Sequence, residues 1–101
     1  MSFKNILCFG TLNPDLLYFV DELPSKGDDI RSTKSSMRPG GTAINCSELV
    51  SLWNKSVEVR GNSIGSDPMG KYLVDYLKEN NIDFDGLIIN QSMTPTCSIF
   101  V

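Results

Sequence analysis

Gly40-Gly41-Thr42-Ala43-Ile44-Asn45 is followed by apolar residues at 43, 46, 49, 50 and 53. That helical spacing predicts a helix from Thr42 to about Trp53, with Thr42 as its N-cap. Paired glycines ahead of a helix let the backbone approach a ligand with no Cβ in the way, and the free amides of the first turn are donors for it. A small polar ligand beside residues 40–45 is the expectation from this stretch.

Upstream, Asn5-Ile6-Leu7-Cys8-Phe9 is a continuous apolar run ended by Gly10, the pattern of a strand buried on both faces. Leu16 to Val20 and Ile30 to Ser36 read as strands flanking a turn at Leu23-Pro24-Ser25-Lys26-Gly27-Asp28-Asp29, a hairpin-like excursion. Downstream, Val57 to Arg60 is a short strand, and Gly61-Asn62-Ser63-Ile64-Gly65 is too rich in Gly and Asn to continue a regular element. Asp67 as N-cap and Pro68 at the first helical position open a second helix, with Met69, Leu73, Tyr76 and Leu77 as its buried stripe and an end near Asn80-Asn81. Gly86 to Asn90 and Thr96 to Val101 complete the pattern as strands. Strands alternating with helices indicate the α/β class with a parallel sheet, in which ligands gather at the carboxyl ends of strands.

A length of 101 residues bounds the chain at one small domain or part of one. With 41% hydrophobic and 21% charged residues it has an ordinary globular balance. The net charge of -3 comes without any long Lys/Arg run, so a nucleic-acid partner is disfavoured. No apolar run is long enough to cross a bilayer and no signal-peptide core follows Met1, so a cytoplasmic protein with no membrane partner is expected. The Asn-x-Ser triplets at Asn45, Asn54 and Asn90 matter only in a secreted chain. Cys8, Cys46 and Cys97 are odd in number and each has apolar neighbours, which predicts reduced, buried thiols and no metal site. With no histidine in the chain, His-based triads, His general bases and His-ligated metals are excluded within it.

Asn13 and Asp15 follow the first strand, with Pro14 fixing the backbone between them. An amide beside a carboxylate supplies the donors and acceptors that vicinal hydroxyls need, although Asn-Pro-Asp is also ordinary turn chemistry. Their company is informative. Gly10-x-x-Asn13-x-Asp15, Val20-Asp21-x-Leu23-Pro24-x-x-Gly27-Asp28, Arg38-Pro39-Gly40-Gly41-x-Ala43-x-Asn45 and Gly61-Asn62-x-Ile64-Gly65-x-Asp67-x-x-Gly70, in that order, resemble the amino-terminal part of ribokinase-like (PfkB-type) carbohydrate kinases. The resemblance runs from the first strand to Thr94-x-Thr96. It implies the amino-terminal part of a three-layer α/β/α fold carrying a β-hairpin lid at about residues 16–36. It also implies sugar-binding roles for Asn13, Asp15, Gly40, Gly41 and Asn45, with a sugar or nucleoside as ligand and a homodimer contact through the lid.

Where that family commonly has Gly after the first helix, this chain has Trp53-Asn54; Asn takes the left-handed conformation less readily than Gly. Family members also carry a later Gly-x-Gly-Asp element, whose Asp acts as base on the acceptor hydroxyl, and a late nucleotide-binding part. Nothing in residues 1–101 matches either one. The resemblance therefore implies ATP and Mg for the complete enzyme and none bound by this chain alone, with no catalytic or metal residue here. Because a missing base costs ~10²–10⁴ in rate, the chain alone is expected to be inactive: the substrate-binding and lid portion of an ATP-dependent sugar or nucleoside kinase. A non-catalytic sugar-binding or dimerisation module and a truncated remnant are the competing expectations.

Overall fold

The computed structural model describes residues 6–53 and 56–101; Asn5 and Asn54, at the edges of the expected first strand and first helix, lie outside them. In chain order the elements are β1 (Ile6–Gly10), β2 (Asn13–Phe19), β3 (Lys34–Gly40), α1 (Thr42–Leu52), β4 (Val57–Gly61), β5 (Ile64–Gly65), α2 (Pro68–Glu79), β6 (Ile89–Asn90) and β7 (Cys97–Phe100). Strands β1 and β4 pair in parallel, from Ile6 opposite Val57 to Gly10 opposite Gly61. The β5–β6 pair is parallel too, and gives regular structure to the end of the Gly61–Gly65 stretch that composition alone read as irregular. The expected strand at Gly86–Asn90 contracts to two residues and is exposed along its length; only Leu87, just before it, reaches the core.

The lid is longer at its base than residues 16–36. β2 and β3 run antiparallel from Asn13 opposite Gly40 to Phe19 opposite Lys34, so the candidate ligand residues form the lid's own first rungs. Both prolines in these strands are accommodated by position. Pro39 lies on the edge strand β3 and Pro14 precedes the first rung to β7, so neither interrupts a ladder that needs its missing amide. β7 joins this sheet parallel to β2, beginning with Asp15 opposite Cys97. The strand expected at residues 96–101 therefore belongs to the lid sheet and not to the parallel layer.

Packing defines one core: Leu12, Ile44, Val57, Val59, Ile64, Leu73 and Leu77 are fully buried between α1, α2 and the parallel strands. Burying an aliphatic side chain of this kind stabilises by roughly 1.5–3 kcal/mol. The first strand is not buried on both faces. Cys8 points beneath α1 and is 4% exposed, whereas Leu7 and Phe9, on the opposite face, are 53% and 76% exposed. Among the described residues, helix α1 covers one side of the β1–β4 pair and no element covers the other.

α1 also sits rotated from the expected stripe. Ala43, Ile44, Ser47 and Val50 face the sheet, while Cys46, Leu49 and Trp53 are exposed. Ser47 is accommodated inside because its hydroxyl donates to the Ile44 carbonyl at 3.0 Å. Cys97 is exposed as well, so of the three thiols only Cys8 is buried as expected. No helix among the described residues is long and apolar enough to cross a membrane.

α2 follows its sequence signals closely. Asp67 is the N-cap, with Oδ1 accepting from the Gly70 amide at 2.9 Å, and Pro68 follows it. At the other end Asn81 takes a left-handed conformation, φ 55°. Its amide donates to Lys78 and that of Ile82 to Leu77, a Schellman closure with Asn in place of the usual glycine. Asp67 has a second task. Oδ2 accepts from the amide of buried Thr94 at 2.9 Å and Oδ1 accepts from its hydroxyl, while that hydroxyl in turn accepts from the Gly65 amide at 2.8 Å.

These bonds, led by the Thr94 hydroxyl and followed by the Thr94 and Gly70 amides, hold the Asp67 carboxyl below its ordinary range. A carboxylate depressed in the folded state stabilises fully above its unfolded value of ~3.9, and that stabilisation is lost as pH falls through the lower folded value. Urea midpoints of the parent chain should therefore drop more steeply below about pH 4 than those of Asp67→Asn; parallel profiles would contradict this. The exposed Leu7 and Phe9 face should also bind a hydrophobic dye at neutral pH, and fluorescence equal to that of buffer would count against it.

Candidate functional site

Thr11 and Leu12 leave the carboxyl end of β1 and are held from two directions. The Asn62 side chain clamps Leu12, accepting from its amide at 2.7 Å and donating to its carbonyl at 2.9 Å. Thr11 and Thr42 bond reciprocally, each hydroxyl accepting from the other's amide at 3.1 and 3.0 Å, and the Thr11 carbonyl accepts from the Ala43 amide at 3.0 Å. The loop thereby caps α1. Gly41, with no side chain, stands at the N-cap position, and Thr42 is the first residue of the helix and not its cap. Two of the amides expected to be free for a ligand are therefore occupied by Thr11.

The corner above this loop admits only glycine. Gly41 has φ 95°, a region costly to any residue with a Cβ. A Cβ there would collide with the Thr11 carbonyl and come within 3.0 Å of Asn13 Oδ1, and one on Gly40 would meet the Asp15 carboxylate. Asn13 and Asp15 lie two residues apart on β2, so alternation puts both on one face. There Asn13 Nδ2 donates to Asp15 Oδ1 at 2.9 Å. Arg38 faces Asp15 across the hairpin, with Nε 3.7 Å from Oδ2; the carboxylate side chain is 14% exposed and the guanidinium 67%. The motif around residues 38–45 does not reveal what Arg38 does, because that depends on the register that sets it opposite Asp15.

Asn13, Asp15, Gly40 and Gly41 thus converge, while Asn45 stands apart. It is exposed on the first turn of α1 and lines a neighbouring groove of about 470 Å³ with Arg38, Pro39, Glu48, Leu49 and Tyr76. Arg38 borders both places and joins them. The groove's far wall is fixed by α2, whose Tyr76 hydroxyl donates to Glu48 Oε2 at 2.9 Å and whose Tyr72 hydroxyl donates to the Met37 carbonyl at 3.1 Å. Burial, then the bond to Glu48, pushes the Tyr76 phenol up, so it stays protonated and keeps donating.

Chemically the site offers a carboxylate oxygen, an amide and a guanidinium at the edge of an open groove, a set suited to a polyhydroxylated ligand. The Thr42 and Ala43 amides, which a helix start would otherwise present to a phosphate, are both taken by Thr11.

Comparison with known proteins agrees with this architecture. Residues 4–101 match the family model described as pfkB family carbohydrate kinase. A ribokinase from Dictyostelium discoideum is 26% identical over 98 residues, which cover 97% of this chain and 30% of that protein. Among solved structures, ribokinase from Thermotoga maritima superposes with a TM-score of 0.86 at 24% identity, covering 98% of this chain and 33% of that one. Ribokinase from Cryptococcus neoformans var. grubii serotype A, solved in complex with ADP, gives 0.81 at 25% identity, with 97% and 30% covered. The chain spans about 30% of the length of the curated relative it matches. From the family match, which takes in nearly every residue, the chain belongs to the pfkB family of carbohydrate kinases.

Proposed function

We propose that this chain forms the sugar-binding wall and lid of an ATP-dependent carbohydrate or nucleoside kinase. The observation that carries the reading is the convergence of Asn13, Asp15, Gly40 and Gly41 at the base of the lid. Asp15 accepts hydrogen bonds from acceptor hydroxyls, oriented by the Asn13 amide on one oxygen and by Arg38 facing the other. Asn45 extends the contacts along the groove toward α2. The glycine corner brings backbone, and no side chain, against the sugar. A lid hinged at these same rungs excludes water that would compete for the phosphoryl group.

In the complete enzyme ATP with magnesium supplies that group; the relative from Cryptococcus neoformans, with its bound ADP, supports a nucleotide partner. The residues described here hold the acceptor and provide no base for its hydroxyl, so the chain alone is proposed to bind without turnover. A cytoplasmic setting fits its free thiols. Homodimerisation through the lid is a second reading, favoured by β3, an edge strand whose residues 34–38 are all exposed. Sedimentation of the chain at micromolar concentration should show a dimer, and a monomer at every concentration would remove that reading.

For the sugar wall, Asp15→Ala and Asn45→Ala in a catalytically complete family member carrying this segment should each weaken acceptor affinity by about 10-fold or more, the loss of one charge-assisted or buried hydrogen bond. Calorimetric titration against a panel of pentoses, hexoses and nucleosides measures it. Unchanged affinity in both variants would defeat the assignment.

A further inference from the structure

Where α1 lies on β1, the Cys8 thiol donates to the Cys46 sulfur at 3.2 Å, joining positions 38 apart in the chain. One partner is 4% exposed and the other open to solvent. Neither thiol takes part in the sugar wall, yet Cys46 adjoins Asn45 and Cys8 lies three residues before Thr11. The third thiol, Cys97, sits on β7 at the lid sheet.

We propose that Cys8 and Cys46 are a redox modification site, oxidised by hydroperoxides to a reversible disulfide that closes a covalent ring around the base of the lid. A disulfide bond is ~2.05 Å long, so the two sulfurs need to approach by only about 1 Å. The unequal exposure orders the chemistry. Cys46, open to solvent, meets the oxidant first: its thiolate attacks one peroxide oxygen, the O–O bond breaks, hydroxide leaves and Cys46 becomes a sulfenic acid. The Cys8 sulfur then attacks the Cys46 sulfur, the S–O bond breaks, and the departing hydroxide takes the Cys8 proton as water. Two thiols lose two electrons in all, and one peroxide is reduced to two waters. Burial, followed by the bond to Cys46, pushes the Cys8 thiol up to about 11, so Cys8 stays protonated at neutral pH and leaves the first encounter with oxidant to Cys46.

The ring from residue 8 to residue 46 contains Asn13, Asp15, Gly40, Gly41 and Asn45. Its bearing on ligand capture rests on the proposed sugar wall, while the disulfide itself does not.

The experiment treats the chain with a few equivalents of hydrogen peroxide, alkylates under denaturing conditions and counts thiols by mass spectrometry. Of the three thiols, one should remain alkylatable, Cys97. A linked peptide pair containing Cys8 and Cys46 should appear within a monomeric chain, and dithiothreitol should restore all three. In Cys8→Ala the link should be absent and Cys46 should be captured by dimedone as its sulfenic acid. With Cys46→Ser, a change on the surface of α1, Cys8 should stay reduced under the same treatment. Overturning results are Cys8 and Cys46 both still alkylatable after peroxide, or Cys97 linking two chains as the sole product. Because no sugar enters the assay, its outcome is separate from that of the binding titration.

Discussion

The close passage of Gly40 and Gly41 over Thr11, Asn13 and Asp15 is the constraint on which the rest of this structure depends. At that corner the lid ends, α1 begins and the loop after β1 is pinned, with no room for a Cβ at either glycine. Separating the backbones by even one methyl group would lift α1 from the Thr11 hydroxyl and carbonyl that cap it. Asp15 would lose its packing against Gly40, and its geometry toward Arg38 would change with it. Fold and site therefore share one steric condition, and the family motif at residues 40–45 reads as the record of that condition.

Electrostatics arrange the site around a single carboxylate. Asp15 receives an amide on one oxygen and faces a guanidinium on the other. Exposed ion pairs contribute little to stability, ~0–1 kcal/mol, so Arg38, two-thirds exposed, is better understood as orienting Asp15 than as a staple. Stability comes from the apolar layer beneath, where Ile44, Leu73 and Leu77 join α1 and α2 to the parallel strands. This division leaves the polar corner with little share in packing.

Local signals were legible where a side chain acts on its own neighbourhood. Asp67, Pro68 and Asn81 mark the ends of α2 because caps are set by bonds a few residues away. The glycine pair and the Asn13–Asp15 pair were likewise readable, the first from steric demand and the second from spacing along a strand. Long-range facts were not. The stripe on α1 could not be placed from apolar spacing, because Ser47 faces inward and Leu49 outward once the sheet below is known. β1 reads as doubly buried, yet the described residues cover one face only. Register governs the rest: the pairing of Arg38 with Asp15 and of Thr94 with Asp67 joins segments that the linear sequence keeps 23 and 27 positions apart.

The Asn62 side chain carries the pairing of β1 with β4 one step past their last backbone rung. The β1–β4 ladder ends at Gly10 and Gly61. A planar side-chain amide presents one donor and one acceptor in the same arrangement as a peptide unit, and Asn62 offers both to Leu12. It serves as a detached rung, spanning a gap that the backbones no longer close. The Leu12 backbone groups thus keep their partners where the ladder has ended. An aspartate in its place would set oxygen against oxygen at the Leu12 carbonyl, so this last rung depends on the amide nitrogen of one residue.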